Sequence, residues 1–275
     1  MTWMETLRAA FPPALGWVAV VCAALCAVGF RRFVYFISVG YGLAIAGAGV
    51  TLLVLFRGSL TPGTAVVCLL FAVYGARLAG FLLAREWKSA SYRRTMGEVA
   101  TDGNSVPLSA QFVIWVSVTL LYVAQTAPAT YRLANGAADG PWLWVGAVVL
   151  AAGLVLETVA DWQKAAAKRV NPGRFCASGL YRWVRCPNYF GELLIWTGAV
   201  LTGIGGLQGW GQWVVALLGY VVIVYVMFSG ARRLELRQNA QYGGDPAYQT
   251  YVARTPILLP MVPLYSLKDW NLVKI

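Results

Sequence analysis

Several residues of this 275-residue chain have types and spacings that could do chemistry. Glu157 and Asp161 are four apart, so on a helix they share a face. Asn188 and Glu192 repeat that spacing. Tyr74 and Arg77 are three apart within an apolar run. Ionisable groups in such runs are costly, and they face a cavity or a bundle interior. Two segments dense in recognition-capable groups complete the set. One is Lys168-Arg169-Val170-Asn171-Pro172-Gly173-Arg174; the other is Arg185-Cys186-Pro187-Asn188-Tyr189-Phe190-Gly191-Glu192. Asn188 reads as the N-cap of the helix that follows. A helix N-terminus beside several Arg and Lys is a ready anion site. The pattern predicts a phosphate-bearing ligand held at one end of a bundle and reaching down toward Tyr74. The chain has no His. That removes the commonest general base and every Ser/His/Asp triad.

The elements that must position these groups are membrane helices. The chain is 59% apolar and 12% charged, with mean hydropathy +0.62. A soluble domain carries roughly 25% charged residues. A bilayer core takes roughly 20 apolar residues per helix. The apolar runs are 12–30, 33–56, 63–84, 108–131, 141–160, 189–205 and 209–230, followed by a tail at 231–275. The expectation is one all-α membrane domain of about seven spans over 1–275, with the first span retained as a helix. On alternate sides, Lys and Arg divide 18 to 3, with Arg77 inside a span. That asymmetry predicts seven spans with the tail in the cytoplasm. It also makes the net charge of +11 mostly a topology signal, with membrane lipid as partner and no nucleic acid. No obligate protein partner is evident.

The five cysteines have neither the spacing of a disulfide framework nor that of a zinc site, so no metal is expected. Cys22 and Cys26 read as small packing residues. The Gly-rich stretch from Gly203 to Gly209 follows no strand, so it reads as a tight external turn and not a nucleotide loop. The connections are also too short for a doubly wound dinucleotide domain.

Five strings resemble the steroid 5α-reductase family in its bacterial branch. They are Leu156-Glu157-Thr158-Val159-Ala160-Asp161-Trp162-Gln163-Lys164, Asn171-Pro172-Gly173-Arg174-Phe175, Gly179-Leu180-Tyr181-Arg182, Arg185 through Glu192, and Trp196-Thr197-Gly198. The likeness runs from about 150 to 260 and ends in Tyr248, Tyr251, Arg254-Thr255-Pro256 and Pro260. The resemblance implies a seven-helix enzyme that uses NADPH to reduce the Δ4 double bond of a 3-oxo steroid. Hydride goes to C5 and a solvent proton to C4. It implies cofactor contacts from Arg77, Asp161, Lys168, Arg174, Asn188 and Glu192, and from Glu157 where the family has Asn; Asn171 and Tyr189, in the same two segments, are expected to join them. It further implies a tyrosine, Tyr74, that polarises the C3 carbonyl, and a bacterial inner membrane with the cofactor site facing the cytoplasm.

Two features depart from that family. The second span lacks the family's Gln–Glu pair and reads Tyr35-Phe36-Ile37-Ser38-Val39-Gly40-Tyr41, so Tyr41, Tyr35 or Ser38 would contribute a hydroxyl instead. A tail His is absent, leaving Arg233, Glu235 and Arg237 nearby. The leading expectation is reduction of a polarised C=C bond in an apolar, steroid-like substrate, with Tyr74 and Tyr41 catalytic and Arg233 and Arg237 joining the cofactor set. Two alternatives are a membrane S-adenosylmethionine-dependent lipid or isoprenyl-cysteine methyltransferase and a non-enzymatic sterol-binding or transport protein. The Asn-Tyr-Phe-Gly-Glu continuation and the second basic loop favour the reductase.

Overall fold

A computed structural model describes residues 10–88 and 106–270. Every regular element among them is helical. The α-helices are α1 (Pro13–Cys26), α2 (Val39–Leu55), α3 (Pro62–Lys88), α4 (Leu108–Ala134), α5 (Pro141–Val170), α6 (Pro187–Gly203), α7 (Gly209–Tyr242) and α8 (Pro246–Arg254). Short 3-10 turns lie at Ala27–Phe30, Phe33–Ile37 and Gly179–Arg182. Lipid offers the backbone no hydrogen-bond partner, so a spanning chain must satisfy its own, and helices do so.

Six stretches among the described residues are long and apolar enough to cross a membrane: Pro13–Phe30, Phe33–Leu55, Pro62–Lys88, Leu108–Ala134, Pro141–Val170 and Gly209–Tyr242. The seventh expected run, 189–205, forms α6. It has 17 residues and so spans about 26 Å. The chain has the all-α membrane fold that its composition predicts. Of the basic residues in the charge split, Arg8, Arg93, Arg94 and Lys274 lie outside the described residues.

Several boundaries differ from expectation. α5 continues to Val170, so Asp161, Lys164 and Lys168 are helical and not part of a loop. α7 continues to Tyr242, which puts Arg233 and Arg237 on a helix. Apolar runs end where polar residues begin, but a helix continues as long as its backbone bonds do. The second span is interrupted at Ser38, where φ is −128° and ψ −95°, between a 3-10 turn and α2. Asn188 is not an N-cap; α6 begins one residue earlier, at Pro187. Proline is preorganised for the first helical position, where its missing N–H costs nothing. Pro13, Pro62, Pro141 and Pro246 open their helices in the same way.

The chain divides into two compact units, Met1–Ala147 with Gly198–Tyr220, and Val148–Thr197 with Val221–Ile275. In the first, α2 and α3 touch backbone to backbone. A Cβ added at Gly42 would sit 2.8 Å from the Gly75 carbonyl oxygen, and one at Gly75 would overlap the Gly42 oxygen. Small residues permit such contacts, which bring the dispersion and weak polar attraction that hold helices together in lipid. Buried Arg132 donates to the Thr202 and Ile204 carbonyls (3.1 and 3.3 Å) and to Ala138. It thereby satisfies carbonyls at and just beyond the end of α6 that lack helical partners. The turn after α6 has Gly205 and Gly209 at φ +76° and +71°.

In the second unit, one stripe of α5 is buried: Leu150, Gly153, Glu157, Ala160 and Asp161. It meets α6 through Gly191, where an added Cβ would lie 2.8 Å from the Glu157 nitrogen. The glycine contacts differ from open glycines on the same helices. Gly75→Ala is expected to cost about 1–3 kcal/mol by forcing α2 and α3 apart. Gly80→Ala, with nothing within 4 Å, is expected to be neutral or stabilising by up to about 1 kcal/mol. Unfolding midpoints of the two variants in detergent check this; equal midpoints contradict it.

Candidate functional site

In the second unit the α5–α6 contact gathers four of the expected site residues. Glu157 and Asp161 occupy the buried stripe of α5, and Asn188 and Glu192 lie in the first turns of α6. Gly191 seats Glu192 beside the backbone of Glu157. Asn188 Oδ1 is buried and accepts no hydrogen bond, so its acceptor capacity is unused. Asp161 lies close to Tyr181, whose hydroxyl donates to the Ala160 carbonyl at 3.4 Å. Burial first, and the Asp161 charge second, raise the Tyr181 pKa far above a normal phenol.

The end of α5 and the loop after it form the basic wall. Lys168 Nζ donates to the carbonyls of Pro172 (3.1 Å) and Arg174 (2.7 Å) and to the Tyr242 hydroxyl (3.0 Å). An ammonium has three donors, and protein acceptors take all three. Lys168 therefore holds the loop that presents Asn171 and Arg174. Those two, with Phe175, Cys176, Ser178 and Tyr251, line a cavity of about 500 Å³. Phe175 stacks on Tyr251 at 5.4 Å and 23°, and the Arg174 guanidinium lies 5.7 Å from the Phe175 ring centre. Flat aromatic surface beside an exposed guanidinium suits a ring joined to an anionic group.

Tyr189 lies against α7, its ring 3.3 Å from where a Cβ on Gly230 would be. Arg233 and Arg237 follow three and seven residues later on the same face of α7, both exposed.

The first unit brings together the two expected catalytic tyrosines. Tyr74 donates to the Tyr41 hydroxyl at 3.1 Å, and both rings are buried. Each precedes a glycine of the α2–α3 contact, Gly42 or Gly75, so the backbone approach sets the hydroxyl pair. Arg77 lies on α3, half-buried, with its guanidinium 5.8 Å from the Phe81 ring centre. Of the other hydroxyls considered, Tyr35 donates to Glu86 at 2.7 Å and Ser38 to the Val34 carbonyl at 2.7 Å. Neither joins the Tyr41–Tyr74 pair.

A family model whose description reads "Protein of unknown function (DUF1295)" matches residues 29–255. The chain belongs to the DUF1295 family. Two curated relatives are similar to it. An uncharacterized protein of Schizosaccharomyces pombe is 31% identical over 168 residues, 53% of this chain and 47% of the relative. "Steroid 5-alpha-reductase DET2" of Arabidopsis thaliana is 37% identical over 78 residues, 24% of this chain and 30% of the relative. The chain thus spans half or less of the length of these relatives. No solved structure matches it.

In this DUF1295 protein, the most tightly held part of the second unit is one that spacing did not reveal. Arg185 and Glu235, both buried, form an ion pair at 3.1 Å, and Arg185 also donates to the Tyr265 carbonyl. Glu235 Oε2 accepts from Leu267 N at 2.8 Å. The backbone nitrogens of Arg185 and Cys186 donate to the carbonyls of Pro256 and Ile257, both at 2.9 Å. The Arg-Cys-Pro-Asn segment is thereby clamped to the tail, which fixes the start of α6 and hence Asn188. Gln163 clasps the preceding turn, accepting from Leu180 N at 2.8 Å beside Gly179 at φ +62°. The only sequence signal for the clamp is an isolated acid among the arginines at 232, 233 and 237.

Removing one partner of a buried pair strands the other charge. Glu235→Ala is expected to cost about 3–5 kcal/mol, with partial recovery in the Arg185→Met/Glu235→Leu double variant. Denaturant midpoints check this; a Glu235→Ala cost under about 1 kcal/mol contradicts it.

Burial pushes the Cys186 thiol from 9.0 up to about 11, against the pull of nearby Lys164 and Arg185. The unfolded thiol loses its proton near 9 while the folded one keeps it to about 11. Stability should therefore fall as pH rises through that window. The wild-type advantage over Cys186→Ala is expected to shrink there by about 2–3 kcal/mol. A pH-independent difference contradicts this.

Proposed function

We propose that this chain is an NADPH-dependent membrane reductase of the polarised C=C bond in a 3-oxo steroid or a similar apolar enone, with its cofactor side facing the cytoplasm. The observation that carries the reading is the unit formed by α5, α6 and the Arg174 loop. That unit holds three buried carboxyl residues, Glu157, Asp161 and Glu192, an unused buried acceptor on Asn188, and a cavity lined by Asn171 and Arg174. These residues fit a nucleotide. Arg174 and Asn171 suit a phosphate and its ribose, and the Phe175–Tyr251 stack suits a flat ring. Asn188, Glu192, Glu157 and Asp161 suit the amide and hydroxyl donors of the remainder. Tyr189, Arg233 and Arg237 complete the proposed contacts of this unit. The partial similarity to a plant steroid 5-alpha-reductase supports the same reading.

When bound, NADPH supplies a hydride. The chain's own part is positional and electrostatic. Lys168 holds the Asn171–Arg174 loop in shape. In the tyrosine pair Tyr74 donates to Tyr41; on this reading the pair would turn a hydroxyl donor to a carbonyl oxygen, where enolate charge develops during reduction. A phenol suits that task because it stays protonated at neutral pH. Apolar side chains of the spans would suit a hydrocarbon ring system.

Calorimetric titration of the solubilised full chain tests this reading. NADPH is expected to bind and S-adenosylmethionine not to bind. Arg174→Ala should weaken NADPH roughly tenfold, the effect of losing one charged hydrogen bond. Tyr74→Phe should leave NADPH binding intact and lower turnover by about 10²-fold, as for an oxyanion donor. Binding of S-adenosylmethionine in place of NADPH overturns the proposal.

A further inference from the structure

Polar residues on α4 are satisfied locally, with clear exceptions. Thr126 donates to the Tyr122 carbonyl (3.0 Å) and Thr130 to the Thr126 carbonyl (3.1 Å). Just past its end, Asn135 donates to Gln212 of α7 at 2.9 Å. Gln125 behaves differently. It is 3% exposed, and both its amide oxygen and its amide nitrogen are buried without a hydrogen-bond partner. Thr119, six residues earlier, also has a buried hydroxyl without a partner. A carboxamide carries two donors and an acceptor with two lone pairs. Leaving both ends unused inside an apolar interior is costly, and each such group in a native fold requires an explanation.

The surroundings suggest one. Gln125 lies one turn from Tyr122, whose hydroxyl donates to the Phe36 carbonyl at 2.8 Å. The Tyr122 ring is 4.8 Å from that of Tyr41, and Tyr41 accepts from Tyr74. Thr119, Tyr122 and Gln125 are spaced three and six apart, so they cover about a third of the α4 circumference. An amide and a hydroxyl with unused capacity thus lie one turn either side of Tyr122, whose ring packs on the Tyr41–Tyr74 pair, all within the first unit. Aromatic surface buries flat hydrocarbon, and an amide reads an oxygen function.

We propose that Gln125, assisted by Thr119, recognises an oxygen substituent, carbonyl or hydroxyl, of an apolar ring ligand bound within the first unit. This deepens the reading above: the ligand is its enone substrate, and Gln125 is the specificity-determining group. The amide nitrogen donates to a carbonyl; its oxygen accepts from a hydroxyl.

The test uses the solubilised full chain and two probes, a 3-oxo-Δ4 steroid with a second oxygen on its ring system and analogues that lack one oxygen each. Thermal shifts over a titration give affinities. Wild type is expected to bind the parent more tightly than at least one deoxygenated analogue, by roughly tenfold. Gln125→Leu should erase that discrimination while unfolding at or above the wild-type temperature, because it removes a stranded amide. Thr119→Val should reduce it without loss of fold. Unchanged discrimination in Gln125→Leu overturns the inference, as does the absence of any wild-type shift with every probe. NADPH calorimetry on the same samples separates the two claims. NADPH binding with discrimination indifferent to Gln125 leaves the reductase reading standing and removes this one; Gln125-dependent steroid binding without NADPH binding does the reverse.

Discussion

Close backbone contact between helices is the constraint on which the rest depends. In lipid, apolar side chains gain little by leaving their surroundings, so helices associate where backbones can approach. Gly42 with Gly75, and Gly153 with Gly191, supply that approach in the two units. The chemistry-bearing residues stand next to these contacts. Tyr41 precedes Gly42, Tyr74 precedes Gly75, and Glu192 follows Gly191. A side chain at any of these glycines would separate the helices and move the adjoining polar group with them.

Around those contacts, the polar residues divide into two kinds. Arg132, Lys168, Arg185, Glu235 and Gln163 have their hydrogen-bonding capacity directed largely at backbone, and they hold turns and helix ends. Asn188 Oδ1 and both amide atoms of Gln125 are buried without a hydrogen-bond partner; in Arg132 and Arg185 only the Nε atom is so placed, while their other nitrogens hold carbonyls. Lys168 and Arg185 show why a basic residue in the motifs need not bind a ligand. The second kind supplies the groups that the proposed ligands would meet.

Much of the fold was legible in the sequence, because seven apolar runs separated by polar connections leave few other arrangements in lipid. The runs underestimated α5 and α7: hydropathy falls where residues leave an apolar layer, but backbone bonding continues to Val170 and Tyr242. Pairs at helical spacing, such as Glu157 with Asp161, were readable because spacing alone sets their face. Asn188 was misread as a cap because Pro187 takes the first helical position. The Arg185–Glu235 clamp was not readable, since its partners are 50 residues apart and nothing local ties them. Gln125 was passed over for a similar reason: a neutral residue in an apolar run gives no charge signal, and only burial without partners distinguishes it.

The central claim is that this DUF1295 protein moves a hydride to an apolar enone. Incubating the solubilised chain with deuterium-labelled NADPH and a 3-oxo-Δ4 steroid, then analysing the steroid by mass spectrometry, tests it most directly. The expected result is a saturated product carrying one deuterium, transferred as deuteride from the cofactor, and one proton from water, formed about 10²-fold more slowly in Tyr74→Phe. Recovery of the steroid unchanged, or of a product without deuterium, would contradict it.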